Sequence, residues 1–140
     1  MPSECISYSA TNNFSKLILD YLDEKEELKA FYHHFPKIES FEAQMAEKKK
    51  AFPSSHRQVL AAVLQNQYSG LDASEATQKN IELLKSDDTF TVTTGHQLNL
   101  FTGPLYFLYK IVSAINLAKA LSQKYPEKKF VPVYWMATED

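Results

Sequence analysis

Apolar residues recur at three- and four-residue intervals through the first part of the chain, a spacing typical of amphipathic helices. Five helices are predicted before residue 88. The first covers Phe14 to Leu22 after a cap at Asn12 or Asn13, and the second covers Leu28 to Phe35 and ends before Pro36. The third runs from a cap at Ser40 to about Ala51. The fourth begins at a cap at Ser54 or Ser55 and ends at a left-handed Gly70, and the fifth runs from about Ala73 to Lys85. This part of the chain is therefore expected to be helical throughout.

The pattern changes at Thr89. Hydroxyl and apolar residues alternate as far as Thr94, which predicts a strand. A helix is expected next, capped by Thr102 and ending near Lys124, and a second strand is predicted at 130–135. The expected inward stripe of that helix is Leu108, Ile111, Val112, Ile115 and Ala118. Strand, helix and strand in this order predict two parallel strands joined by a right-handed crossover.

These elements predict an α/β fold. Residues 1–88 are expected to form a helical segment that packs on the core, and residues 89–140 the first βαβ unit of a Rossmann-like parallel sheet. Two strands are too few for an independently stable parallel sheet, and no covering helix follows the second strand. We therefore expect the N-terminal piece of a longer protein, or a partner chain that completes the sheet.

The composition of the chain argues against several classes of binding partner. The chain has 140 residues, 44% of them hydrophobic, and a net charge of -2, which gives no general attraction to nucleic acid. No apolar run approaches the roughly 18 residues of a membrane span, and no secretory leader is recognisable. Cys5 is the single cysteine, so an internal disulfide is excluded. These features favour a cytoplasmic protein that binds neither nucleic acid nor membrane.

A candidate site lies at the edge of the sheet where both predicted strands end, because ligands of open α/β sheets bind outside those carboxyl ends. Two of the three glycines fall there, which favours a loop shaped around a ligand. One wall of the site comprises Thr94, Gly95, His96, Gln97, Thr102, Gly103, Pro104, Tyr106 and Lys110, and the other wall comprises Glu139 and Asp140.

The residue types of the first wall suit an anionic ligand. Backbone N–H groups at a helix start attract phosphate or carboxylate. Thr102, Tyr106 and Lys110 are spaced by four residues and are expected on one helix face, where Lys110 supports the anion. His96 is expected to act as a general acid or base, or to steady a phosphate. Each residue alone also has a structural explanation, such as a cap, a packed ring or a solvated lysine, whereas the combination favours a site.

Carboxylates form the second wall. Either Glu139 or Asp140 suits an ammonium group or a magnesium ion that carries phosphates. No metal site made of protein side chains is predicted, since His33 and His34 are neighbours and neighbours on a helix do not share a face. The sequence has neither the Walker pattern nor GxGxxG.

Several segments together resemble the N-terminal region of the bacillithiol biosynthesis cysteine-adding enzyme family. They are Thr93-Thr94-Gly95-His96-Gln97, Leu100-Phe101-Thr102-Gly103-Pro104-Leu105-Tyr106, Lys110-Ile111, Ser113-Ala114-Ile115 and Val131-Pro132-Val133-Tyr134-Trp135-Met136-Ala137-Thr138-Glu139-Asp140. The resemblance covers most of this chain but only the beginning of a family member, whose Rossmann-like core is followed by a coiled-coil arm.

The resemblance implies a ligase-like reaction that joins the carboxylate of cysteine to the amino group of glucosaminyl-malate. It implies that Gly103 and Lys110 hold phosphate or malate carboxylates, that His96 and Gln97 bind the reacting group, and that Glu139 or Asp140 holds an ammonium. Many family members carry Gln at the position of His96, which favours a hydrogen-bonding role there over acid–base catalysis.

The cofactor is unknown, and the candidate is ATP or another nucleotide together with Mg²⁺. The expected partners are cysteine, glucosaminyl-malate and, for the full-length protein, a second copy of itself; this chain alone is expected to be inactive. Two other functions stay open. One is an ATP-binding domain similar to nucleotidyltransferases, and the other is a noncatalytic helical module that binds a partner protein.

Overall fold

The computed structural model describes residues 4–138, apart from the side chain of Thr102. The described chain forms two compact units that divide between Gln44 and Met45. Helices dominate both units, and the second unit also contains a two-stranded parallel sheet. The predicted α/β class is confirmed.

The first helix of the first unit, α1, covers Lys16–Leu22 and begins after Ser15. Ser15 is the N-cap, because its Oγ accepts a hydrogen bond from the Ile18 N–H at 3.4 Å. The predicted caps were wrong. Asn13 precedes the cap, and Asn12 has a left-handed φ of 55° and ends a short 3-10 helix, Tyr8–Thr11.

The predicted second helix is a 3-10 helix over Glu26–Phe31. It follows Glu24, whose φ is 53°, and the chain becomes extended at Tyr32. The rings of Tyr21, Tyr32 and Phe35 contact one another with centroids 5.1 to 6.1 Å apart, so this cluster replaces the expected helical face. Because the histidine pair after the 3-10 helix is not helical, its two rings do meet, with centroids 4.7 Å apart.

Three helices precede the sheet: α2 over Phe41–Ala51, α3 over Ser54–Tyr68 and α4 over Glu75–Leu83. Pro53 holds the N-cap position of α3, and Ser54 instead donates its hydroxyl to the Asp87 carboxylate. Neither serine caps the helix. Gly70 is not the left-handed stop that was expected, because within residues 4–138 Gly103 is the one glycine with a positive φ.

The strands β1, Thr89–Gln97, and β2, Lys129–Ala137, pair in parallel from Thr89 opposite Lys129 to Gln97 opposite Ala137. The helix α5, Leu105–Lys124, connects them and packs on both. The parallel βαβ prediction is confirmed, but β1 is longer than predicted. Gly95, His96 and Gln97 therefore belong to the strand and not to a loop.

The buried side of α5 consists of Ala114, Ala118 and Leu121. Small residues four positions apart let the helix approach the two strands closely. Of the predicted stripe, Ala118 is buried, whereas Leu108, Val112 and Ile115 are exposed in the described structure. The apolar stripe is thus wider than the surface that β1 and β2 cover. Among the described residues, no helix has the length and apolar character needed to cross a membrane.

The amino ends of the two strands are held by charged groups. Asp88 accepts hydrogen bonds from Lys128 at 2.8 Å and from Lys49 at 2.9 Å. These two bonds lower the pKa of Asp88 from 3.8 to about 2. Beside it, the buried Arg57 donates to the Thr89 carbonyl oxygen at 2.9 Å, and its Nε lies 3.4 Å from Asp87 Oδ1, near enough for an ion pair but not aligned as a hydrogen bond.

Candidate functional site

His96 joins the end of β1 to the first turn of α5. Its Nε2 lies 2.6 Å from the Tyr106 hydroxyl oxygen, within hydrogen-bond distance. Its ring also contacts the ring of Phe107, with centroids 6.3 Å apart. Alternation along a strand directs this residue towards α5, and the imidazole is half-buried against the helix start.

Asn99 supports His96 from the other side of the ring. The Asn99 Nδ2 donates to the Gln97 carbonyl oxygen at 3.0 Å and lies 3.1 Å from His96 Nδ1. Asn99 was not among the predicted site residues. Nothing in its spacing indicated the contact, which depends on how the chain turns between β1 and α5.

Gly103 creates the space that Asn99 occupies. Its φ is 62° and its ψ is -160°, a conformation that suits glycine alone. A Cβ at this position would lie 2.6 to 2.8 Å from the Asn99 side chain. The glycine that was expected to let a ligand approach therefore accommodates a neighbouring side chain.

Lys110 lies one turn beyond Tyr106 on the same side of α5. Its Nζ donates to the Gly95 carbonyl oxygen at 3.1 Å and is 5.6 Å from the centroid of the Tyr106 ring. One of the three ammonium hydrogens is thus engaged by the end of β1. The other two are directed away from this bond, since the ammonium group is tetrahedral.

The predicted helix start is displaced by two residues. Pro104 holds the N-cap position of α5, so Thr102 precedes the helix and does not share a helical face with Tyr106 and Lys110. The connection between β1 and α5 also exposes three apolar side chains, Leu98 (69%), Leu100 (85%) and Phe101 (96%). The positive charge next to the helix start comes from Lys110, not from the connection.

Thr94 lies two residues before His96 and lines a separate apolar pocket of about 150 Å³. The pocket is also lined by Ile111, Ala114, Ile115, Pro132, Val133 and Tyr134. Tyr134 links this pocket to the site, because its hydroxyl donates to the His96 carbonyl oxygen at 3.3 Å. The strand end is therefore fixed from β2 as well as from α5.

Glu139 and Asp140 fall outside the described residues. The last paired residue of β2, Ala137, lies opposite Gln97, so both strands end at the same edge. His96, Tyr106 and Lys110 are brought together there, with Gly95 and Gly103 shaping the surrounding backbone. Alternation along β1 directs the neighbouring Gln97 side chain to the other face of the sheet, so the structure does not bring it to this group. Donor groups dominate this arrangement, which suits an anionic oxygen.

A family model described as "Bacillithiol biosynthesis BshC, N-terminal Rossmann-like domain" matches residues 1–140. The chain belongs to the BshC family. This confirms the resemblance carried by the sequence motifs, and it agrees with the parallel βαβ unit.

Relatives in the BshC family match all or most of the chain. A protein of Christiangramia forsetii named "Putative cysteine ligase BshC" is 64% identical over 140 residues, which is 100% of this chain and 26% of the relative. A Flavobacterium johnsoniae protein of the same name is 60% identical with the same coverage. A Bacillus cereus (strain AH187) protein, also of that name, is 34% identical over 124 residues, covering 89% of this chain and 22% of the relative. The chain spans about a quarter of the length of these relatives.

Proposed function

We propose that the full-length protein is a ligase that joins the carboxylate of cysteine to the amino group of glucosaminyl-malate in bacillithiol biosynthesis. The observation that carries this proposal is the match of the entire chain to the BshC N-terminal domain. The names of the relatives, which describe cysteine ligases, support the reaction class. The donor groups at the edge of the sheet support a carboxylate-bearing substrate.

In this proposal, Lys110 and Tyr106 bind one carboxylate of the malate group. Lys110 supplies an ammonium group with hydrogens beyond the one bonded to Gly95, and a charge-assisted hydrogen bond to a carboxylate is stronger than a neutral one. The Tyr106 side chain is half exposed, so its hydroxyl is accessible to a ligand that binds from solvent. His96 orients Tyr106, and Glu139 or Asp140 holds an ammonium group of a substrate.

Amide formation from a free carboxylate requires activation of that carboxylate. ATP or another nucleotide with Mg²⁺ would supply it by converting the carboxylate oxygen into a better leaving group. The site has one ammonium group, that of Lys110, and the chain between β1 and α5 exposes apolar side chains. Such a site fits the single charge of a carboxylate better than the several charges of a triphosphate, so we assign no nucleotide contact to the described residues. They bind, orient and shield the acceptor substrate.

The isolated chain is expected to lack ligase activity. It spans about a quarter of its relatives, and catalysis of a two-substrate reaction needs both substrates held in a fixed geometry. Turnover of cysteine and glucosaminyl-malate by the isolated chain would contradict this.

Isothermal titration calorimetry of the full-length protein tests the proposal. Glucosaminyl-malate should bind, and Lys110→Met should weaken binding about tenfold or more, as expected for loss of a hydrogen bond to a charged group. Lys119→Met is the matched control, because Lys119 is an exposed lysine further along α5. Binding of ATP but not of glucosaminyl-malate would favour a nucleotidyltransferase-like domain. Binding of neither, with capture of a helical partner, would favour the noncatalytic module.

A further inference from the structure

Asn99, His96 and Tyr106 form one hydrogen-bond network, in which the Asn99 amide contacts two groups. Asn99 Nδ2 lies near two atoms, the Gln97 carbonyl oxygen at 3.0 Å and His96 Nδ1 at 3.1 Å. A carbonyl oxygen can only accept, so the Asn99 group that faces it is the NH₂ and not the amide oxygen. The second hydrogen of this NH₂ is then available to His96.

The orientation of the Asn99 amide selects one form of the imidazole. If Asn99 donates to Nδ1, that nitrogen must be the acceptor, and in a neutral ring the hydrogen is then on Nε2. Nε2–H donates to the Tyr106 oxygen across 2.6 Å. Tyr106 accepts this bond with a lone pair, and its own hydrogen stays free to point outward.

We propose that Asn99 is a positioning residue that sets the Nε2–H tautomer of His96 and thereby directs the Tyr106 hydroxyl hydrogen to a carboxylate oxygen of the substrate. The identity of that substrate rests on the proposed function, whereas the tautomer does not. Gly103 is needed for this arrangement, since a Cβ there would displace the Asn99 side chain.

The opposite tautomer has one contact in its favour. His96 Nδ1 lies 3.1 Å from the Gln97 carbonyl oxygen, to which an Nδ1–H could donate. In that form the Gln97 carbonyl oxygen would accept from both Nδ1–H and Asn99, and the second Asn99 hydrogen would face a ring nitrogen that cannot accept it. Nε2 would then accept from Tyr106 and turn its hydroxyl inward, so the two tautomers present opposite groups to a ligand.

Nitrogen-15 NMR of histidine-labelled full-length protein distinguishes the tautomers directly, since protonated and unprotonated ring nitrogens have well-separated shifts. The His96 signals are assigned by their loss in His96→Gln, and the neutral form is identified by recording spectra across pH. The wild-type protein should show Nε2–H. Asn99→Asp, of nearly the same size, offers an acceptor in place of the donor and should shift the neutral ring to Nδ1–H. An Nδ1–H tautomer in the wild type, or no change in Asn99→Asp, overturns the proposal.

Calorimetry with glucosaminyl-malate tests the effect on the ligand. Tyr106→Phe and Asn99→Asp should each weaken binding about tenfold, and the double variant should bind no more weakly than Tyr106→Phe alone, because Asn99 acts through the hydroxyl. His96→Gln, whose amide provides one acceptor and one donor, should retain more affinity than His96→Leu. A merely structural Asn99 would give losses that multiply in the double variant, which overturns the proposal. Failure of the wild type to bind glucosaminyl-malate would reject the proposed substrate, while the NMR result would still decide the tautomer.

Discussion

Gly95 lies directly opposite Trp135 in the parallel pairing of β1 and β2, and a Cβ on Gly95 would fall 2.7 Å from the Trp135 carbonyl oxygen. The two backbones approach so closely that a side chain on Gly95 would collide with its partner strand. The conformation of Gly95 is not left-handed, so the requirement here is for space and not for an unusual φ. Its carbonyl oxygen accepts the hydrogen bond from Lys110, which couples the spacing of the strands to the site.

Gly95→Ala should separate the ends of the two strands and displace the acceptor of Lys110. We expect a destabilisation of about 2 kcal/mol, in the range of other overpacking substitutions, together with weaker binding of glucosaminyl-malate. Thermal unfolding and calorimetry of the full-length protein measure the two effects. Gly70→Ala is the matched control, since nothing lies within 4 Å of a Cβ there. If Gly95→Ala and Gly70→Ala had the same stability and the same affinity for glucosaminyl-malate, β1 would be able to shift without loss of stability, which would contradict this prediction.

Gly103→Ala should impair binding through Asn99. The substitution adds backbone strain of about 1–3 kcal/mol at a φ of 62°, and its methyl group takes the place of the Asn99 side chain. The His96 tautomer should become mixed and the affinity for glucosaminyl-malate should fall. Nitrogen-15 spectra and calorimetry report these changes. An unchanged tautomer in a folded Gly103→Ala protein would mean that Asn99 does not need the space.

Arg57→Met should destabilise the protein by about 2–3 kcal/mol. Arg57 is buried, with 5% of its surface exposed, and the substitution removes the guanidinium that donates to the Thr89 carbonyl oxygen. Asp87 would also lose a neighbouring positive charge. Thermal unfolding of the full-length protein measures the loss, and Lys79→Met, at an exposed position of α4, should have little effect. A change within 0.5 kcal/mol, on the order of ordinary surface substitutions, would refute the role of Arg57.

Acidification should weaken the junction at Asp88. The pKa of Asp88 is lower in the folded protein, about 2 against 3.8, so its contribution is fully present above about pH 4 and is lost as the pH falls towards 2. Asp88→Asn should therefore show a smaller loss of stability over that interval. Because Asp88 and its two lysine partners are partly open to solvent, added salt should reduce the difference between the two proteins. Unfolding measured at pH 5, 4 and 3, with and without salt, tests the sign; a larger loss in Asp88→Asn would contradict it.

The strand–helix–strand order could be predicted because the change from helical spacing to alternation at Thr89 is abrupt. The end of β1 could not. Glycine usually weakens a strand, and the pairing of Gly95 with Trp135 is visible only once the second strand is in place. The same holds for the 3-10 helix at Glu26–Phe31, where a left-handed Glu24 and an aromatic cluster override a helical pattern.

Within the site, residue types and spacing were sufficient to select His96, Tyr106 and Lys110, which the structure brings together. Their partners were not predictable in the same way. The contact between Asn99 and His96 depends on the turn made possible by Gly103, and the bond from Lys110 ends on a backbone atom that carries no sequence signal. Spacing can indicate which side chains meet, but not which backbone groups they find.

The bonds that connect Gly95, His96, Asn99, Tyr106 and Lys110 all fall within one short stretch of chain, and the bond from Tyr134 is the long-range addition. Contacts between residues close in sequence require little loop closure and can form early in folding. The donor geometry is therefore largely encoded in a single contiguous peptide segment.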